Sequence, residues 1–193
     1  MSGREERPHV VAVIGSPRRH GNTATLVDVA LAELRDRGCR CTRIMLAEMA
    51  IAACDGHEDC GHLAACAHVD DAARVLDQVY AADGLILASP VYYENVSSQM
   101  KAFIDRNAFR YYHDEWLTTK IVGLIAVATS SGLDDTLAAM RRFVALSSRR
   151  DVLTVAMGGF ASLPGEAVAS EELMTEAQAL GRTMAEGLGL SRD

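Results

Sequence analysis

Residues 10–14, Val-Val-Ala-Val-Ile, form a short apolar, mostly β-branched run that leads directly into a loop of small and cationic residues. Behind that loop, Leu26, Ala30, Leu31 and Leu34 recur at helical spacing on one face. This order of strand, tight loop and helix start constrains the chain more than any other feature. A strand covered on both faces reads as a continuous apolar run, which is the habit of parallel sheets. A helix start exposes unpaired N–H groups and the positive end of the helix dipole. The loop at that junction carries Ser16, Arg18, Arg19, Gly21 and Asn22, with Thr23 next. Such a junction suits a phosphate, although a plain loop with a helix cap at Asn22 or Thr23 uses the same residue types. The Gly-x-Gly-x-x-Gly of a dinucleotide site and the Gly-Lys-Ser/Thr of a triphosphate loop are both missing.

The rest of the chain repeats the alternation. Strands are predicted at 9–14, 40–46, 85–88, 120–128 and 152–157. Helices are predicted at 23–37, from Asp70 or Asp71 to about 81, at 97–106, from Leu133 past Val144, and at 171–188. Five strands alternating with helices imply an α/β fold: one parallel sheet with helices on both faces. No repeat or linker divides residues 1–193, so one domain is expected, with a loose polar tail at 1–8 and a cysteine-containing insertion at 47–69.

A net charge of −7 argues against a nucleic-acid surface or an anionic membrane partner. No apolar run approaches the ~20 residues that span a bilayer, and the first residues lack the apolar core of an export signal. A cytoplasmic location is expected. The five cysteines are an odd number, which does not suit a disulfide framework.

Ligands of open parallel sheets sit beyond the carboxyl ends of the strands, where strand order reverses. Three loops have that position: 15–22, 89–95 and 129–132. The second holds Pro90, Val91, Tyr92, Tyr93 and Asn95; the third is Thr129, Ser130, Ser131 and Gly132. The first suits a phosphate. The second offers backbone N–H groups and a flat wall, and the third allows close backbone approach and supplies hydroxyls. A phosphate at one end and a flat polar ring at the other describe a mononucleotide, and flavin mononucleotide (FMN) fits best. Tyr92 and Tyr93 are equally compatible with plain surface packing.

Gly15-Ser16-Pro17-Arg18, Gly21-Asn22-Thr23, Ser89-Pro90-Val91-Tyr92 and Lys101-Ala102-Phe103-Ile104-Asp105-Arg106 together carry a resemblance. Over roughly residues 10–160 the chain resembles the flavodoxin-like NADPH-dependent FMN reductases, and within them the iron–sulfur flavoprotein branch. The resemblance implies a flavodoxin-like three-layer sandwich with strand order 2-1-3-4-5. It implies that Ser16, Arg18, Asn22 and Thr23 hold the FMN phosphate, with the second and third loops on either side of the ring. It further implies NAD(P)H as co-substrate, a small acceptor (flavin, quinone, nitroaromatic or a dedicated substrate), and a homodimer or homotetramer. Tyr92, Tyr93 and His113 are candidates for proton supply. The alternative is an electron carrier fed by a protein donor such as ferredoxin.

In the iron–sulfur flavoprotein branch the insertion carries four cysteines that ligate a 4Fe–4S cluster. Here the run reads Cys54, His57, Cys60, Cys66. Loss of the cluster is the expectation, because the four-thiolate set is incomplete. A cluster on three thiolates and one imidazole, or a zinc ion on the same set, are the other readings. Cys39 and Cys41 read as small, partly buried hydrophobes. The aromatic stretch 109–116 suits either a subunit contact, a substrate wall or simple packing.

Overall fold

The computed structural model describes residues 7–190. Most of the expected tail lies outside the described residues. In chain order the strands are β1 (His9–Ile14), β2 (Arg40–Met45), β3 (Gly84–Tyr92), β4 (Asn95–Val96), β5 (Ile121–Ala128) and β6 (Leu153–Phe160). The helices are α1 (Asn22–Asp36), α2 (Ala72–Tyr80), α3 (Ser98–Arg106), α4 (Ala108–Tyr112), α5 (Leu133–Ser147), α6 (Glu166–Ala169) and α7 (Glu171–Gly187). The five parallel strands run β2-β1-β3-β5-β6. That is the expected order; the numbering shifts only because β4, a two-residue antiparallel arm on β3, takes a number of its own.

Alternate side chains of β1 serve two cores. Val10, Ala12 and Ile14 pack with α1 and α7 on one face of the sheet. Val11 and Val13 pack with α2, α3 and α5 on the other. Every residue of β1 and β5 is buried, which is why both read as unbroken apolar runs.

Two strands run further than the sequence suggested. β3 continues past Ala88 because Ser89 and Pro90 still pair with Ala126 and Val127 of β5. β6 continues through Gly158 and Gly159, residues of low strand propensity. There a Cβ on Gly159 would lie 2.2 Å from Leu173, so the glycine lets α7 press onto the sheet. The short helices α4 and α6 carried no periodic signal long enough to read.

The insertion between β2 and α2 has short 3-10 turns at Leu46–Glu48 and Cys60–His62 and little apolar burial of its own. A buried ion pair fastens it instead. The Arg106 guanidinium donates to both Asp70 carboxylate oxygens, to the Ala52 carbonyl and to Cys66 Sγ. Burial of Asp70 alone would raise its carboxyl. The Arg106 hydrogen bonds and the Ala52 and Ala72 N–H groups outweigh that and hold it at about 2, against an ordinary 3.8. A depressed folded-state value contributes stability above the unfolded value and loses it as the pH falls through the folded one. Acidification from pH 4 to about 2 is therefore expected to lower the urea midpoint in the wild type. Asp70→Asn should lose about 3 kcal/mol at neutral pH, because it leaves the Arg106 charge buried and uncompensated. An unchanged urea midpoint in the variant would show that the clamp contributes nothing.

Candidate functional site

The site begins at the carboxyl end of β1. Gly15 N–H donates to the Ala88 carbonyl of β3 at 2.8 Å, which aligns the first loop with the neighbouring strand. The Gly15 carbonyl accepts from Ser97 Oγ at 2.7 Å. The same hydroxyl caps α3 by accepting from Met100 N–H at 3.2 Å. Ser97 N–H in turn donates to Ser89 Oγ at 2.9 Å. Ser89 and Ser97 are both fully buried. They lace the first loop, the end of β3 and the start of α3 into one unit.

Within the first loop, Ser16 Oγ accepts from Arg18 N–H at 3.2 Å, and Gly21 N–H donates to the Arg18 carbonyl at 3.1 Å. Gly21 is the N-cap of α1 and no side chain caps it. The first-turn N–H groups of α1 therefore keep their donor capacity. A Cβ on Gly21 would lie 2.9 Å from Arg18 Cβ, so the turn closes only around glycine. The helix cap at Asn22 or Thr23 that was the alternative reading of this loop does not form. Arg19 pairs with Glu48 at 2.7 Å, whereas Arg18 has no ion pair among the described residues.

These groups face a cavity of about 130 Å³ lined by Ser16, Arg18, Gly21, Asn22, Thr23, Pro90, Val91, Tyr92 and Thr129. Val127, Ala128, Ala161 and Ser162 complete the lining. The first nine were singled out from the sequence. The last four were not: Val127 and Ala128 read only as the end of a strand, and Ala161 and Ser162 were missed because β6 was expected to stop at Met157. The strand-end rule applies to β6 as much as to its neighbours and would have found Ala161 and Ser162.

Tyr93, Asn95, Ser130, Ser131 and Gly132 stand outside this lining. Tyr93 is fully exposed. Asn95 turns to a second groove, between α3, α4 and α5. Ser131 Oγ donates to the Glu94 carboxylate. Gly132 has φ +81°, and a Cβ there would lie 2.6 Å from Val91 and 2.9 Å from Glu94 Cα, so it lets the third loop seat against the second. His113 is also elsewhere: its ring nitrogens face the Phe109 and Leu63 carbonyls, and it braces α4 against the insertion.

The turn between β3 and β4 is strained. Tyr93 and Glu94 both take the left-handed conformation, with φ +50° and +64°, between the paired Tyr92 and Asn95. A two-residue hairpin of this kind favours Asn-Gly because both central residues need positive φ. A bulky tyrosine there costs about 1–3 kcal/mol.

The cavity joins an uncapped helix start to the ends of β3, β5 and β6. Residues 8–162 match the NADPH-dependent FMN reductase family. The chain belongs to that family. It is an FMN-dependent oxidoreductase. An iron–sulfur flavoprotein of Archaeoglobus fulgidus is 36% identical over 176 residues, covering 91% of this chain and 78% of that protein. Among solved structures, a protein described as an NADH:FMN oxidoreductase superposes with a TM-score of 0.65 at 22% identity, covering 96% of this chain and 91% of that one. An NAD(P)H:quinone oxidoreductase from Methanothermobacter marburgensis superposes with a TM-score of 0.69 at 16% identity, covering 93% and 96%. At these identities the two structures establish the flavodoxin-like fold alone.

FMN fits the site. The open N–H groups of α1 and the unpaired Arg18 supply the donors that a phosphate needs. The four-thiolate set that a 4Fe–4S cluster uses is incomplete in the insertion, where His57 stands with Cys54, Cys60 and Cys66. Among the described residues no three His, Cys, Asp or Glu side chains converge as metal ligands. Cys54 Sγ accepts from Gly56 N–H, His57 Nδ1 from Asp59 N–H, and Cys66 Sγ from Arg106. Cys39 is inert by a different route: burial pushes its thiol up to about 11.

The hairpin strain has a measurable consequence. In flavin-free protein, Tyr93→Asn should raise stability by about 1 kcal/mol, since asparagine tolerates the left-handed conformation that tyrosine resists. A melting temperature that stays level or falls would remove the case for strain at this turn.

Proposed function

We propose that this family member takes electrons from NAD(P)H and delivers them, through FMN held in the cavity described above, to a small acceptor such as a flavin, a quinone or a nitroaromatic. The observation that carries the reading is the cavity itself. It places an uncapped helix start, a free guanidinium and the ends of three strands around one space.

In this reading the N–H groups of Asn22 and Thr23 and the guanidinium of Arg18 bind the phosphate, with Ser16 fixing the turn that presents them. Pro90, Val91 and Tyr92 lie along one side of the ring and Thr129 along the other. Tyr93, Asn95, Ser130, Ser131 and Gly132 form and support the outer rim. Val127, Ala128 and Ala161 give the cavity an apolar floor that excludes water. Bound there, FMN supplies the reversible two-electron chemistry that no side chain of the chain provides. The lining contains no Asp, Glu, His or Cys. The residues therefore bind and orient, and proton exchange falls to solvent or to the Tyr92 hydroxyl.

Flavin is the electron-carrying group in this proposal, because His57 stands where a four-thiolate cage needs its second cysteine. The exposed Tyr111, Tyr112 and Leu146 around the groove between α3, α4 and α5 support a homo-oligomer. Among the described residues no helix is long and apolar enough to cross a membrane.

The purified protein, reconstituted with FMN, should oxidise NADPH or NADH under anaerobic conditions with bleaching of the flavin absorbance. Binding of FMN without reduction by either nicotinamide would eliminate the donor. Arg18→Ala should weaken FMN about 10- to 100-fold, the scale of a charge-assisted hydrogen bond, and leave riboflavin binding unchanged. Equal effects on both flavins would remove Arg18 from the phosphate site. Iron and sulfide at cluster stoichiometry in the isolated protein would replace the flavin-only reading with the electron-carrier alternative.

A further inference from the structure

We propose that the Asn22 side chain is a latch and not a phosphate ligand: it hangs residues 161–167 as a strap that forms the fourth wall of the cavity. The proposal rests on the flavin reading of that cavity for its consequences, but not for its geometry.

A side-chain amide offers two N–H donors and an oxygen with two lone pairs. In Asn22 all of that capacity is used within one short segment. Nδ2 donates to the Ala161 carbonyl at 3.3 Å and the Leu163 carbonyl at 2.9 Å. Oδ1 accepts from Gly165 N–H at 3.2 Å and Ala167 N–H at 3.3 Å. Two carbonyls face one end of the amide and two N–H groups face the other, so the network settles its orientation. Nothing on this side chain is left for a ligand. Only the backbone N–H of Asn22, in the first turn of α1, can serve a phosphate.

The strap has further anchors. Ala161 N–H donates to the Ala128 carbonyl at 2.9 Å, which ties the strap to the end of β5. The Glu166 carboxylate accepts from the N–H groups of Ser162 and Leu163 and closes the turn on itself. Gly165 has φ +90°, a conformation that glycine adopts without strain, and Ala167 is fully buried in the core. Between these anchors Ala161 and Ser162 face the cavity.

This wall is not part of the phosphate loop in sequence. Leu163, Gly165, Glu166 and Ala167 all lie beyond residue 162, where the match to the family ends. The latch thus joins the first loop to a segment about 140 residues further along the chain. Removing it should loosen the wall on which any flavin leans, whether or not that flavin carries a phosphate.

The test uses two flavins and two variants. Asn22→Ala frees the strap at α1, and Glu166→Ala frees it at its own turn without touching the first loop. Each is expected to weaken FMN and riboflavin by the same factor, about tenfold, in fluorescence titrations. Each should also speed hydrogen exchange of the amides in 161–167 in flavin-free protein. A loss confined to FMN in Asn22→Ala would overturn the proposal, since it would mean that the side chain meets the phosphate. Unchanged exchange in both variants would overturn it as well. If the wild type takes up neither flavin, the functional reading fails. The exchange measurement then decides the latch alone: faster exchange sustains it, and no change overturns it.

Discussion

One buried hydroxyl sets the geometry on which the candidate site depends. Ser97 Oγ sits between the Gly15 carbonyl of the first loop and the Met100 N–H at the start of α3. Polar atoms buried this completely are stable only when paired, and each partner here belongs to a different element. The bond therefore fixes the first loop relative to the exit of the β3–β4 hairpin. It also explains why position 15 is glycine: a Cβ there would lie 2.7 Å from Ser97 Oγ and 2.8 Å from Met100 Cβ. Without that close approach the uncapped start of α1 would have no fixed relation to Pro90 and Val91, and the cavity between them would not be defined.

That rigid base divides the site into two halves of different character. The end formed by the first loop buries Ser16 and Thr23, both under 5% exposed, and its backbone is closed by short turns. The opposite end projects, with Tyr93 and Glu94 held at positive φ beside an open rim. Strain of this kind persists only where surrounding contacts over-determine the conformation. Here those contacts are the β3–β4 pairing and the seat that Gly132 provides. The division suits a ligand anchored firmly at one end while its other end stays open to a partner molecule.

Much of this was legible in the sequence, because parallel strands covered on both faces leave unbroken apolar runs. β1 and β5 declared themselves that way, and the strand-end rule then brought three loops together. The limits were equally physical. β6 reads as stopping at Met157 because glycines follow, yet Gly158 and Gly159 stay paired to Ala126 and Val127, and Gly159 is small to admit Leu173. That missed extension hid Ala161 and Ser162. The role of Asn22 was illegible for another reason. An asparagine at a helix start advertises capping or phosphate binding, whereas its actual partners lie about 140 residues further on. Ser89 and Ser97 show only local propensity in the sequence, and their importance comes from a carbonyl 82 residues away from Ser97.

The insertion follows a different logic. In a metal-bound loop the ligand bonds commonly supply the folding free energy, so losing one ligand unravels the segment. Here the Asp70–Arg106 pair, together with the hydrogen bonds to the Ala52 carbonyl and Cys66 Sγ, ties both ends of the run to α3. His113 adds a brace through the Leu63 carbonyl. These contacts hold both ends of the loop. Within the loop, His57 Nδ1 takes part in a local turn by accepting from Asp59 N–H. The insertion keeps the form of a ligand loop while its anchorage comes from an ion pair.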